Sequence, residues 1–191
     1  MLHGSEAALV ANGPGPKLAG RAADIVRERG KMDALVSTGF CGGLAPTLQA
    51  CDIFVASEVV DVAPALAPSS ARPFQTGKLL SMDRVVSTAA EKASLSGRAG
   101  AVEMEAAAIA GRAREWNVPF YAVRVVTDTA SETFPLDFNR MRSADGRFSR
   151  TKIVAAALAR PVTMIPELMK LNSRTKCAAQ ALGDFLADAR F

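Results

Sequence analysis

Short apolar runs of strand length alternate along this chain with longer segments of helical period, and that alternation confines it to an α/β domain. "AALVAN" (7–12) reads as a strand and runs into the breaker "GPGP". "KLAGRAADIVRERG" then sets Leu18, Ala22, Ile25 and Val26 on one helical face and stops at Gly30, a C-cap glycine. Strands follow at "DALVST" (33–38) and "DIFVASEVV" (52–60), separated by the loop "GFCGG". The Pro, Ser and Ala of "DVAPALAPSSARPFQ" (61–75) predict a surface loop. "GKLLSM" (77–82) is a strand, residues 85–95 a helix, and residues 103–116 a further helix whose alanines allow close packing. "PFYAVRVVTD" (119–128) is an apolar strand interrupted by Arg124, with turn-like "TASETFPLD" after it. From residue 151 the pattern is helical, broken by Pro161 and Pro166, and no segment repeats another.

With 191 residues and 49% hydrophobic content the chain has the size of one domain, burying roughly 70% of its unfolded surface, with residues 160–191 as a C-terminal helical extension. Cys41, Cys51 and Cys177 are odd in number and widely spaced, which argues against a disulfide framework and for a reducing compartment. His3 is the single histidine and no CxxC occurs, so no metal is expected. The opening lacks a signal-peptide pattern and no apolar run reaches membrane-spanning length, a cytoplasmic reading. Residues 139–191 hold ten basic and four acidic side chains, but only Phe148, Phe185 and Phe191 could stack on bases, so a solvated basic helix is expected and no nucleic-acid partner.

The stretch "AVEMEAAAIA" (101–110) sets Glu103 and Glu105 either side of Met104 at the start of an alanine-rich helix. Acidic residues in a first helical turn are favoured by the macrodipole by roughly 0.3–1 kcal/mol each, which would account for both. The buried strand that follows, however, ends in Thr127 and Asp128, and strand carboxyl ends face the ligand crevice of open α/β sheets. "STGFCGG", at the end of another strand, supplies glycines that let backbone amides approach a ligand.

"STGFCGGLAPTL" (37–48), "AVEMEAAAIA" (101–110) and "VRVVTDTA" (123–130), in that order and at these spacings, resemble the nucleoside phosphorylase and nucleosidase superfamily, most of all its 5'-methylthioadenosine/S-adenosylhomocysteine nucleosidases. The likeness runs from about residue 7 to 130. The tail, with "LARPVTMIPELMKL", is similar to the hopanoid-associated phosphorylases, a branch thought to remove adenine from adenosylhopane. The resemblance implies a three-layer phosphorylase/hydrolase-like fold with a central mixed sheet, and a purine nucleoside as small-molecule substrate. It implies no cofactor, with phosphate or water as nucleophile left open, and a homo-oligomer, by preference a dimer.

Residue by residue, the resemblance makes Asp128 the acid that protonates purine N7, so that the base leaves neutral from an oxocarbenium-like sugar. Glu105 matches the carboxylate that accepts hydrogen bonds from the ribose 2' and 3' hydroxyls. Glu103 supports from behind it, and Met104 packs on the sugar. Phe40, Cys41 and Gly42 lie along base and sugar, Val85 and Val86 recognise the purine after an "SMD" turn, and Thr127 lines the site. Phe40 stands where phosphorylases carry a phosphate-binding serine, Ser37 where some carry an arginine, and Cys51 replaces a common glycine, a change read as structural. The family opens with a strand and loop carrying the base or phosphate ligands, where this chain has residues 1–6. The resemblance therefore implies a sheet lacking the family's N-terminal strands, an unpaired apolar edge beside "AALVAN", an incomplete catalytic set, and a start upstream of Met1 or a partner over that edge. Two outcomes stay open: an enzyme cleaving an N-ribosyl bond, or a nucleoside-binding protein that has lost turnover. Met164, Ile165, Leu168, Met169 and Leu171, beside Lys170, Arg174 and Lys176, form a helix packed on its own domain or a partner, or else a membrane-surface contact.

Overall fold

The computed structural model describes residues 7–134, 137–143, 147, 149, 151 and 161–191, with residues 161–165 and 168 described by backbone alone. The opening residues 1–6 with His3, Phe148, and the side chains of Met164, Ile165 and Leu168 lie outside the described residues.

Helix α1 (Pro16–Glu28) begins with Pro16 in its first turn, and Gly30 takes φ 133° just beyond it. Six strands follow: β1 (Leu35–Gly43), β2 (Ile53–Val59), β3 (Ala63–Pro64), β4 (Gln75–Ser81), β5 (Ala101–Glu103) and β6 (Phe120–Asp128). Between them lie α2 (Ala89–Leu95) and α3 (Ala106–Trp116), and after β6 come a 3-10 turn, η1 (Phe138–Met141), and the long helix α4 (Pro161–Asp188).

The sheet is mixed and closes on itself. β1 runs parallel to β6 and antiparallel to β5, while β4 runs parallel to both β5 and β2. β2 returns antiparallel to β6 along Ile53–Val55, completing a five-strand ring, and takes β3 further along the same edge at Glu58 and Val59. Closure of this kind satisfies backbone groups that an open edge would leave unpaired. The period-two alternation of β2 and β6 distributes the core. Phe54, Ala56, Ala122 and Val126 pack with Ala106, Ala110 and Ala113 of α3, whereas Ile53, Val55, Val123 and Val125 pack with Ala178, Leu182 and Phe185 of α4. Helices α3 and α4 thus cover opposite faces of the sheet, the layered arrangement the resemblance implies, and α1 packs on α3.

Several sequence expectations are corrected. Residues 7–12 form no strand: they join no ladder and Leu9 is 88% exposed, because an apolar run becomes a strand only where a neighbour accepts its hydrogen bonds. The expected open edge lies instead on β1: among the described residues Leu35–Cys41 pair with β6 alone, because β5 reaches β1 only at Gly42 and Gly43. "GFCGG" is no loop but the end of β1, held in register with β6 as far as a bulge between Cys41 and Gly42. Glu103 belongs to β5, not to the helix, because its backbone pairs beside Ser81 before the chain turns. α2 starts at Ala89, where the Thr88 hydroxyl accepts from the Glu91 amide, and not at residue 85. In α1 the buried face is Leu18, Ala19, Ala22 and Ala23, leaving Ile25 exposed, because small side chains let α1 approach α3. α4 continues through Pro166 without a break.

Cys51 and Cys177 are joined in a disulfide that ties the turn before β2 to α4, correcting the reading of three unpaired cysteines. Spacing could not reveal this pair: 126 residues separate its members, and only the fold brings their Cα atoms to 6.2 Å. Cys51 adopts φ 73°, a left-handed conformation that accounts physically for glycine being the common residue there. The C-terminal half of α4 packs on its own domain, and its end is fixed where Asp188 accepts from the Ser70 hydroxyl at 2.7 Å and the Ala71 amide at 2.8 Å. The loop at 61–75 is thereby pinned to the sheet's α4 side.

Candidate active site

Asp128 ends β6 directly opposite Gly42 of β1, and its side chain is buried. Its Oδ1 accepts from the Thr127 hydroxyl at 2.8 Å, while Oδ2 accepts from Lys92 Nζ at 2.5 Å. Gly42 is required here, since a Cβ at that position would stand 2.9 Å from Asp128 Oδ2. Burial raises the Asp128 carboxyl above its ordinary range, although the Lys92 ammonium and the hydrogen bonds from Lys92 and Thr127 oppose the rise. A carboxyl held this way can keep or share a proton where a solvated aspartate has lost it. The Thr127 hydroxyl also lies 3.2 Å from the Cys41 carbonyl, an alternative acceptor for its one proton on the neighbouring strand β1.

Glu103 is engaged entirely by protein. Oε2 accepts from Arg124 Nη2 at 2.7 Å, Oε1 accepts from the Ser81 hydroxyl, and the carboxylate accepts from the amides of Glu105 and Ala106 at 2.9 Å. It therefore caps α3 from the preceding strand, using the unpaired amides and positive end of that helix. Burial by itself would raise this carboxyl, but Arg124, Ser81 and the amide donors hold it below the ordinary range. The residue that interrupts the apolar run of β6 is thus its counter-ion. Arg124 also donates to the Ser37 carbonyl and hydroxyl, both at 2.7 Å, so Ser37, where some phosphorylases carry an arginine, receives one from the neighbouring strand.

Glu105 stands at the N-cap of α3 without capping it. Its Oε1 accepts instead from the Gly15 amide at 2.6 Å, at the start of α1. Burial, with the Glu103 charge next to it, raises the Glu105 carboxyl. Two glutamates separated by Met104 are thus pushed in opposite directions, one committed to an ion pair and the other part-buried and accessible to a ligand. Met104 is buried beside them.

The other predicted positions divide. Cys41 is buried in the core, its thiol pushed far up by burial. Phe40 is 42% exposed at the end of β1. Val86 is packed with Leu44, Leu80, Ala99 and Val102, so it contributes to the core. Val85 offers a backbone edge, which here is taken by the Asn139 side chain: the Val85 amide donates to Oδ1 at 2.8 Å and its carbonyl accepts from Nδ2 at 2.9 Å. The ring order β6–β1–β5 joins the two acidic positions, since Gly42 opposes Asp128 on one side and Val102, next to Glu103, on the other. Sequence reasoning missed Lys92 and Asn139. A lone lysine among the alanines of α2 has the pattern of a solvated surface residue, and only the tertiary packing buries it.

The family model of the phosphorylase superfamily matches this chain over residues 1–72 and 58–159. The chain belongs to the phosphorylase superfamily. Solved structures of nucleosidases are similar to this phosphorylase-superfamily chain. One is S-adenosylhomocysteine nucleosidase from Streptococcus pyogenes in complex with 5-methylthiotubericidin, at 26% identity and a TM-score of 0.53, covering 63% of this chain and 65% of that one. Another is the 5'-methylthioadenosine/S-adenosylhomocysteine nucleosidase of Colwellia psychrerythraea 34H in complex with adenine, at 26% identity and a TM-score of 0.56, covering 69% of each. The chain thus spans about two thirds of the length of the nucleosidases it matches. The mixed sheet and its helical layers agree with the fold implied by the sequence motifs.

Proposed function

We propose that this protein cleaves the N-ribosyl bond of an adenosine-type nucleoside and releases adenine. The observation that carries the reading is the buried, raised carboxyl of Asp128 at the carboxyl end of β6, in a fold shared with nucleosidases. Asp128 donates a proton to purine N7 as the glycosidic bond breaks, so the base departs neutral and the positive charge developing on the sugar is not opposed by an anionic leaving group. Glu105 accepts from the ribose diol, exchanging the Gly15 amide for the two hydroxyls. Phe40 and Met104 supply apolar surface to base and sugar, and the backbone edge of Val85 reads the purine once Asn139 moves aside. The adenosyl lipid implied by the tail is the substrate we favour, with Met169, 68% exposed on α4 beside exposed Lys170, near the membrane surface. Among the described residues no helix is long and apolar enough to cross a membrane, so such contact would be peripheral.

A second reading, a nucleoside-binding protein without turnover, is favoured by the occupancy of Glu105 Oε1 by Gly15 and of Val85 by Asn139. Incubating the protein with adenosine, methylthioadenosine and an adenosyl lipid, with and without phosphate, separates the two. Free adenine from any of them supports the enzyme, and its dependence on phosphate names the nucleophile. Nucleoside binding with no adenine released supports the second reading.

A further inference from the structure

Lys92 has no exposed surface, and a lysine is almost never buried without a partner. Its surroundings are specific. Nζ donates to Asp128 Oδ2 at 2.5 Å and to the Thr129 carbonyl at 2.7 Å, and it lies 5.5 Å from the centre of the Phe134 ring. The ammonium is therefore fixed from three directions by β6, the segment after it and an aromatic face. Asp128 is its only carboxylate partner within ion-pair distance among the described residues. A salt bridge this dry contributes little net stability against an apolar replacement, which makes a purely structural explanation weak.

Resting on the reading of Asp128 as the acid, we propose that Lys92 is its positioning residue: it holds Oδ2 and leaves Oδ1, with the Thr127 hydroxyl, as the oxygen that meets the purine. Oδ2 is closed off on two sides, by Lys92 Nζ and by the backbone of Gly42, where even a Cβ would crowd it. Among the described residues Oδ1 has a single hydrogen-bond partner, the half-buried Thr127 hydroxyl, which can turn when a ring nitrogen arrives. The ammonium has a second consequence. Burial alone would push the Asp128 carboxyl further up and make it a weaker donor, whereas Lys92 opposes that rise and eases proton release. The other charged and titratable groups around the pair are few. Glu132, in the segment after β6, adds a negative charge but accepts from the Thr129 amide and is paired with Arg174 of α4 at 2.5 Å. Cys41 of β1 is held as the neutral thiol by burial, and its field is shared with Glu103 and Arg124, which neutralise each other.

The test is to follow the Asp128 carboxyl carbon by 13C NMR against pH in the full chain, for wild type, Lys92→Met and Lys92→Arg, beside the pH profile of adenine release. Lys92→Met is expected to move the Asp128 midpoint up by about 1–3 pH units, the span of one adjacent charge, while Lys92→Arg restores the wild-type midpoint. The high-pH limb of kcat should follow the midpoint, with KM little changed. A folded Lys92→Met protein with an unmoved midpoint overturns the proposal. If that variant does not fold, Lys92→Gln is read in its place: it keeps a donor but no charge, so the Asp128 midpoint should again move up, and an unmoved midpoint overturns the assignment. A moved midpoint in a protein that releases no adenine would keep the Lys92–Asp128 relationship and sink the nucleosidase reading. Adenine release with an unmoved midpoint would do the reverse.

Discussion

Arg124 Nη2 donates to Glu103 Oε2 at 2.7 Å, and both side chains are only 1% exposed. The pair joins β6 to β5 and, through the amides of Glu105 and Ala106, fixes where α3 begins. Replacing the cation by an apolar residue leaves a carboxylate buried without its counter-charge, so Arg124→Leu should cost about 3–5 kcal/mol. Denaturant unfolding reads the loss, and Glu103→Gln, which keeps the shape and part of the bonding, should lose less. A loss under about 1 kcal/mol for Arg124→Leu would contradict the role given to the pair.

Stability should depend on pH in two opposed ways. Glu103 is held below the ordinary carboxyl range, so its contribution is present above the unfolded value and is lost as pH falls through the folded one. Asp128 and Glu105 are raised, so the folded state holds protons that the unfolded chain has released, and stability falls as pH rises from the unfolded value through the folded ones. In urea midpoints measured from pH 4 to 8, Asp128→Asn should flatten that descent on the high-pH side. An unchanged slope would mean that Asp128 titrates as a solvated aspartate.

Reduction should destabilise the protein. The Cys51–Cys177 link closes a loop of 126 residues, and losing it is expected to cost about 2–4 kcal/mol. Cys177→Ser should therefore show, without reductant, the denaturant midpoint that wild type shows with it. Under reduction, Cys51→Gly should be more stable than Cys51→Ser by about 1 kcal/mol, because position 51 is left-handed. Equal midpoints for oxidised and reduced wild type would argue against the cross-link.

The α/β class and the strands β2, β4 and β6 were legible because period and turn residues are local signals, whereas the glycines of "GFCGG" hid the end of β1. Asp128 and Glu105 were singled out by the motifs that carry the family resemblance. What stayed hidden depends on which element meets which. "AALVAN" has a strand's composition but no partner for its backbone. Glu103 has the sequence position of a helix's first turn, yet it acts on that helix from a strand. Lys92 and Cys177 look like surface residues until α2 and α4 dock, and the ring closure of β2 on β6 follows from no local pattern.

Glu105→Ala should weaken nucleoside binding and adenine release together, since hydrogen bonds to the ribose diol serve ground and transition states alike. Calorimetric titration with adenosine and with 2',3'-dideoxyadenosine separates the cause. The variant should lose affinity for adenosine and little for the dideoxy compound. Equal losses for both would place the carboxylate away from the diol.

The tail reading is checked by co-sedimentation with anionic vesicles. Peripheral contact through the basic α4 surface should appear at low salt and vanish at high salt, each basic residue contributing about 1 kcal/mol near the leaflet. Absence of association at low salt would remove the membrane from the account.

Adenine release by wild type and Asp128→Asn, measured beside nucleoside affinity for both, tests the central claim most directly. The account predicts that the variant binds nucleoside nearly as well as wild type and releases adenine slower by about 10²-fold or more. Equal turnover in the two proteins would contradict it.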